Sequence, residues 1–181
     1  MRPQDDKNII HSIERNPEEG FRLLMEKYKQ PIYWHIRRLV VAHDDAQDAT
    51  QETFVRVFRS FGSYKGGQGS FRSWVYRIAT NEALRMIGAR RSEVVPDDCE
   101  AAGAGLVAAD SYVDYEKELE VRFQQAILSL PPKQQLAFNL RYYDDMTFDE
   151  IASVAASTPA SMKACYHIAK EKIVKYMNSN N

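Results

Sequence analysis

Asp45-Ala46-Gln47-Asp48-Ala49-Thr50-Gln51-Glu52-Thr53-Phe54-Val55-Arg56-Val57-Phe58-Arg59-Ser60-Phe61, followed after a glycine-rich gap by Phe71-Arg72-Ser73-Trp74-Val75-Tyr76-Arg77-Ile78-Ala79-Thr80-Asn81, is the stretch on which the reading of this chain turns. In the first segment Phe54, Val57, Phe58 and Phe61 recur at helical spacing, which predicts an amphipathic helix with one apolar stripe. Asp45, Asp48, Gln51 and Glu52 then face outward as an acidic, amide-rich surface suited to docking on a protein. In the second segment Phe71, Val75, Ile78 and Ala79 form the inward stripe. Trp74, Arg77, Asn81 and Arg85 follow one flank, with Arg72 and Tyr76 on the other. Guanidinium groups neutralise phosphates and rings stack on unpaired bases, so this second surface suits nucleic acid. Trp74, beside Val75 and Ile78, is equally compatible with the core.

Charge supports the contrast. The net charge of −1 over 181 residues hides a polarised distribution. From Arg56 to Arg91 the basic residues are Arg56, Arg59, Lys65, Arg72, Arg77, Arg85, Arg90 and Arg91, with Glu82 the one acidic residue, a net of +7. From Pro96 to Glu118 seven carboxylates face Lys117 alone, a net of −6. Segregation of this kind points to distinct partners for distinct segments.

Other classes find little support. No apolar run is long enough to span a bilayer and no basic-then-apolar leader is present, so a cytoplasmic protein without membrane insertion is expected. Cys99 and Cys165 are too few for a disulfide framework. His11, His35, His43 and His167 lack paired-ligand spacing, and Gly66-Gly67-Gln68-Gly69 does not follow an apolar strand as a phosphate-binding loop would. The expectation is no catalytic residue, no metal and no cofactor.

Taken in order, the chain reads as all-α. A short helix lies within Met1–Asn16, and a long one runs from Glu18 to Val41 with Pro31 as a kink or break. Asp44 or Asp45 is expected to cap the next helix. Gly62 to Gly69 forms a loop, and Ser70 caps the helix that follows it. Residues 93–114 are acidic, rich in alanine and glycine and without period, an acidic flexible linker that is otherwise simply a solvated tether. As a coil it spans roughly 25 to 30 Å. Helical pattern resumes at Tyr115 with Leu119, Phe123, Ala126, Ile127 and Leu130. A second helix runs from Lys133 to Tyr143. Thr147-x-x-Glu150 is a capping box, and Thr158 precedes Pro159 at a second helix start. Two short helices around Ala155-Ala156-Ser157 make either a helix-turn-helix or an ordinary helical corner. Ala156 occupies the turn position usually given to glycine. Ala160, Ser161, Lys163, Ala164, His167 and Lys170 face outward on the second helix. The predicted architecture is two small helical domains, 1–92 and 115–181, joined by the linker 93–114.

The combination resembles bacterial RNA polymerase sigma factors of the small, two-domain extracytoplasmic-function (ECF) class in the sigma-70 family. Asp45-Ala46-x-Asp48-x-x-Gln51-Glu52-x-Phe54 is similar to the family's polymerase-docking helix, and Phe71-Arg72-x-Trp74-x-Tyr76-Arg77-Ile78-Ala79-x-Asn81 to its promoter-opening helix. Leu130-Pro131-Pro132-Lys133-Gln134-Gln135, Leu140-Arg141-Tyr142-Tyr143 and Asp149-Glu150-Ile151-Ala152 look like its C-terminal domain. The resemblance implies a region 2-like bundle that binds core RNA polymerase through Asp45, Asp48, Gln51, Glu52 and Phe54. It implies that Arg72, Trp74, Tyr76, Arg77, Asn81, Arg85, Arg90 and Arg91, with the loop from Lys65 to Gly69, hold the melted minus-ten element of promoter DNA. It further implies a region 4-like helix-turn-helix on the minus-thirty-five element through Thr158, Ser161, Lys163, Ala164, His167 and Lys170, and it admits an anti-sigma factor as partner. Gln135, Cys165 and Ile168 depart from the family, standing where many members carry arginine. A freestanding helix-turn-helix regulator, a nucleic-acid-modifying enzyme and a protein-only interaction module are the rival classes.

Overall fold

A computed structural model describes residues 3–66, 69–92 and 115–179, with side chains for all of these except 3–5, 89–92 and 115–117. The linker 93–114 lies outside the described residues. The chain divides into two compact units at Val94/Val95, and no strand occurs among the described residues.

The first unit is built from α1 (Pro3–Arg15), α2 (Pro17–Val40), α3 (His43–Ser60), a single 3-10 turn (Phe61–Ser63) and α4 (Phe71–Ser92). Helix α2 is the spine. Leu24, Tyr28, Ile32 and Ile36 recur every fourth residue and are fully buried. That continuous stripe carries the helix through Pro31, so of the kink or break that the sequence suggests, the break does not occur. A lost hydrogen bond and ring clash cost about 3 kcal/mol, and burying large side chains at about 1.5–3 kcal/mol each offsets that. Helix α1 seats on α2 through Ile9 and Ile13. There a Cβ on Gly20 would lie 2.3 Å from the Ile13 backbone nitrogen. Lys27 and Tyr28 both donate to Asp6 Oδ1, at 2.6 and 2.7 Å.

The entry to α3 differs from expectation. Neither Asp44 nor Asp45 is the cap; the N-cap is Ala42, with no side-chain bond, because the helix starts at His43. Val41 adopts φ 66° and ψ −42°, and the Ala42 N–H donates to Val40 C=O at 2.8 Å. This tight three-residue turn is strained for a β-branched residue. Asp44 and Asp45 fall in the first turn, where they still favour the positive helix end.

The second unit comprises α5 (Tyr115–Leu128), α6 (Pro132–Tyr142), α7 (Phe148–Val154) and α8 (Pro159–Ser179). Its core includes Ala126, Ile127, Leu130, Phe138, Ala169 and Ile173, flanked by Phe123, Tyr143, Tyr166, Tyr176 and Met177. Leu119, counted inward on the sequence, is exposed. The capping box forms: Thr147 Oγ1 accepts from the Glu150 N–H and Glu150 Oε2 from the Thr147 N–H. Ala156 has φ 48°, and the Ser157 N–H donates to Ala152 C=O at 3.0 Å, a Schellman-type stop for α7. Thr158 Oγ1 then caps α8 through the Ser161 N–H.

Candidate docking surface and nucleic-acid interface

Helix α3 buries Ala46, Ala49, Thr50, Thr53, Phe54 and Val57. The Thr50 and Thr53 hydroxyls donate to the carbonyls of Ala46 and Ala49 at 2.6 Å, so these polar groups are satisfied inside. Phe54 is 8% exposed, which corrects its expected place on a docking surface. The inward face is made largely of small residues, and counting only large apolar ones rotated the predicted stripe. Phe58 went the other way: it is 60% exposed, its ring 4.6 Å from that of Phe21. Asp48 and Gln51 are exposed, while Asp45 and Glu52 are half-buried. Asp48, Gln51, Val55 and Phe58, spaced by three and four, form one exposed stripe whose second half is apolar. Val55 and Phe58 are the part that sequence reasoning missed: the periodicity places Phe58 on the apolar stripe and gives Val55 no side, and both are exposed.

Helix α4 presents Arg77, Asn81 and Arg85 to solvent along one line, as expected. Trp74 at its head is half-buried, with ring centroids 5.7 Å from Phe71 and 5.1 Å from Tyr64. It belongs both to an aromatic cluster and to the surface. Tyr76 is only 1% exposed and lies 5.0 Å from the His35 ring, so it is a core residue and not a surface contact. The opposite flank of α4 is closed by α2, because Ala79, Thr80 and Ala83 are small enough to let the helices meet. Arg72 is half-buried with its guanidinium 5.6 Å over the Tyr76 ring. The side chains of Arg90 and Arg91 lie outside the described residues, as do Gly67 and Gln68 of the loop.

His35 sits at the α2–α4 seam, fully buried, its Nε2 2.9 Å from Thr80 Oγ1. The Thr80 hydroxyl donates to Tyr76 C=O, so the imidazole donates to Thr80. Burial, and secondarily the charge of Arg38, pushes the imidazole down to about 3, leaving it neutral near pH 7.

Between α3 and α4 lies a cleft of about 430 Å³ lined by Glu52, Arg56, Arg59, Asn81 and Glu82 among others. Three of its lining residues, Glu52, Arg56 and Glu82, belong to an ion-pair chain that continues to Arg85. Arg56 Nε is 3.1 Å from Glu52 Oε1 and 2.5 Å from Glu82 Oε1, and Arg85 Nη2 is 2.6 Å from Glu82 Oε2. On the sequence Glu82 was a lone negative charge in a basic segment. Its i,i+3 spacing to Arg85 was visible, but the partner from α3 was not.

On the second unit, Thr158, Lys163, Ala164, His167 and Lys170 are exposed and Ser161 is half-buried, while Met162 points into the core. This is the outward face that the sequence assigned to α8. Cys165 is a half-buried free thiol. Among the described residues no helix is long and apolar enough to cross a membrane.

Comparison with known proteins matches residues 24–93 to Sigma-70 region 2 and residues 120–173 to Sigma-70, region 4. RNA polymerase sigma-H factor of Pseudomonas aeruginosa is 29% identical over 181 residues, covering 95% of this chain and 93% of that protein. ECF RNA polymerase sigma factor SigW of Bacillus subtilis is 27% identical over 180 residues, covering 94% and 96%. Among solved structures, CnrH in complex with the cytosolic domain of CnrY superposes with a TM-score of 0.74 at 14% identity, covering 98% of this chain and 99% of that one. RpoE in complex with the anti-sigma factor NepR from Bartonella quintana gives 0.68 at 18%, covering 90% and 99%. At those identities the structural likeness speaks for the fold. With region 2 and region 4 matched in sequence order and relatives matched nearly end to end, the chain belongs to the ECF group of the sigma-70 family and is an RNA polymerase sigma factor that directs transcription initiation at specific promoters.

Proposed function

We propose that the two faces of the first unit divide the work of initiation, with α3 holding core polymerase and α4 holding opened promoter DNA. The observation that carries the reading is the pair of stripes on adjacent helices, Asp48-Gln51-Val55-Phe58 exposed on α3 and Arg77-Asn81 exposed on α4 with the half-buried Trp74 at its head. On α3 the polar half sets register and the apolar half supplies area to bury, the usual division at protein interfaces. Asp45 and Glu52 flank it. On α4 Arg77 suits phosphate or a base edge, the Asn81 amide suits a base edge, and Trp74 offers a partly exposed ring fixed by Phe71 and Tyr64. Unstacking a base costs a few kcal/mol, which stacking at about 1–3 kcal/mol and amide hydrogen bonds offset.

In the second unit the helix-turn-helix reads the minus-thirty-five element in the major groove through Lys163, His167 and Lys170, with Thr158, Ser161 and Ala164 at the close-approach end of α8. The linker makes the second contact effectively intramolecular once the first has formed, so two weak modules suffice on one polymerase scaffold. The chain has no catalytic role of its own, takes no cofactor and acts in the cytoplasm. An anti-sigma factor is a further partner, by analogy with the RpoE chain solved with NepR.

Two variants separate the surfaces. Asp48→Arg is expected to abolish co-purification with core polymerase while leaving the fold intact. Asn81→Ala is expected to keep co-purification but lose permanganate-reactive thymines at the promoter. Retained co-purification of Asp48→Arg removes the docking assignment, and full thymine reactivity of Asn81→Ala removes the opening assignment.

A further inference from the structure

We propose that Glu82 is a specificity-determining residue: its buried carboxylate holds the guanidinium groups of Arg56 and Arg85, so that the α4 face meets DNA through base-reading groups and not through bulk phosphate attraction. This rests on the reading of α4 as the DNA face. Glu82 is the one carboxylate between Arg56 and Arg91, and it is 5% exposed. A carboxylate buried to that degree persists only if paired, and this one is paired twice, at 2.5 Å to Arg56 from α3 and 2.6 Å to Arg85 on its own helix. Its partners are wet. The side chains of Arg56 and Arg85 are 43% and 61% exposed, where DNA phosphates would otherwise reach them.

Glu52 shares Arg56, so Glu52, Arg56, Glu82 and Arg85 form a neutral chain of alternating charge at the edge of the segment Arg56 to Arg91, whose net charge is +7. An arginine already neutralised by a fixed carboxylate releases few counterions on meeting a phosphate and adds little sequence-independent affinity. Arg77 has no ion pair among the described residues and stands exposed one turn before Asn81. Phosphate contacts position a protein, and base contacts specify the site. The arrangement keeps two of the cations nearest the base-reading stripe from binding any sequence indiscriminately. On this proposal Arg85, a DNA contact on the sequence reading, is instead held by Glu82.

The test uses the full chain and a fluorescein-labelled duplex of arbitrary sequence, with binding followed by anisotropy between about 50 and 200 mM salt. One phosphate contact contributes about 0.9 to the slope of log K against log salt. Arg77→Gln is expected to lower that slope by about 0.9, whereas Arg85→Gln changes it by less than about 0.3. Glu82→Gln, which keeps the shape and one acceptor, is expected to steepen it by about 0.9 to 1.8. Its gain in affinity at 50 mM then exceeds its gain at 200 mM by about 3- to 12-fold. Equal losses for Arg77→Gln and Arg85→Gln overturn the proposal, as does an unchanged slope in Glu82→Gln with native tryptophan emission. Should Glu82→Gln fail to fold, the two arginine variants decide alone. If no variant moves the slope, the DNA reading of α4 falls and the proposal with it.

Discussion

Gly20→Ala tests how α1 is seated on α2, and the sign of its effect decides the matter. In a helix lacking a close neighbour, alanine is better than glycine by about 0.5–1 kcal/mol because it loses less backbone entropy on folding. At Gly20 the added methyl would lie 2.3 Å from the Ile13 nitrogen, 2.4 Å from its Cα and 2.5 Å from its Cγ1. Ordinary carbon contacts are about 3.5–4.0 Å, so the helices must part by more than 1 Å or the backbone must bend. Two of the three obstructing atoms are backbone, and no rotamer change relieves them. Forced overpacking costs about 1–3 kcal/mol. Lifting α1 away would instead re-expose Ile9 and Ile13, each worth about 1.5–3 kcal/mol, and strip Lys27 and Tyr28 from Asp6.

The expected outcome is therefore a destabilisation of about 1–3 kcal/mol where propensity alone gives a gain. Trp34 and Trp74 are the only two tryptophans and both lie in the first unit, so urea unfolding followed by tryptophan emission reads that unit selectively. With a urea slope of about 1–3 kcal/mol/M, the midpoint should fall by roughly 0.5–2 M. A midpoint equal to or above that of the native chain would refute the close approach.

Ala156→Gly should act in the opposite sense. Relief of φ 48° is worth about 1–2 kcal/mol and the extra freedom of the unfolded chain costs about 0.5–1, for a net gain near 0.5–1 kcal/mol. Slower amide exchange in α7 would register it, and faster exchange would count against the strained turn. His35 makes the first unit acid-sensitive. Its imidazole is lowered from 6.5 to about 3 by burial and then by Arg38, so the unfolded chain binds the proton more readily. The stability contributed is complete above pH 6.5 and is lost at about 1.4 kcal/mol per pH unit as pH falls from 6.5 toward 3. His35→Gln, which does not titrate, should lose about 1.5–2 kcal/mol less than the native chain between pH 6 and 4.5. Parallel pH profiles of the two proteins would exclude the assignment.

Much of the fold was legible because its signals are local. Helix starts at Thr147 and Thr158, the interrupted period at Pro131-Pro132 and the small residues around Ala156 each depend on a few neighbours in sequence. The errors share a cause in packing between helices. Tyr76 looked like a flank residue because large apolar neighbours alone drew the stripe. Ala79, Thr80 and Ala83 widen the buried arc of α4 only because α2 brings His35 against it. For the same reason Phe58 leaves the stripe that Phe54 and Val57 keep, since Ala46, Ala49 and Thr53 mark the true interior of α3.

The charge pattern shows the same limit and alters the expected mode of DNA binding. A segment sum treats every arginine as available, whereas Arg56 and Arg85 share Glu82 and the Arg72 guanidinium lies over a buried ring. Among side chains described in that segment, Arg59, Lys65 and Arg77 are exposed and outside any described ion pair. Those three side chains would contribute about 2.7 to a salt slope, against the six to ten phosphate contacts of regulators that grip duplex DNA. On the proposed division of labour, the rest of the affinity comes from Trp74 and Asn81 acting on a base that leaves the stack, and from polymerase supplying the scaffold. On that reading the chain alone is expected to bind intact duplex weakly, because the groups that reward binding are satisfied only after the strands part, and tight binding of duplex by the isolated chain would refute it.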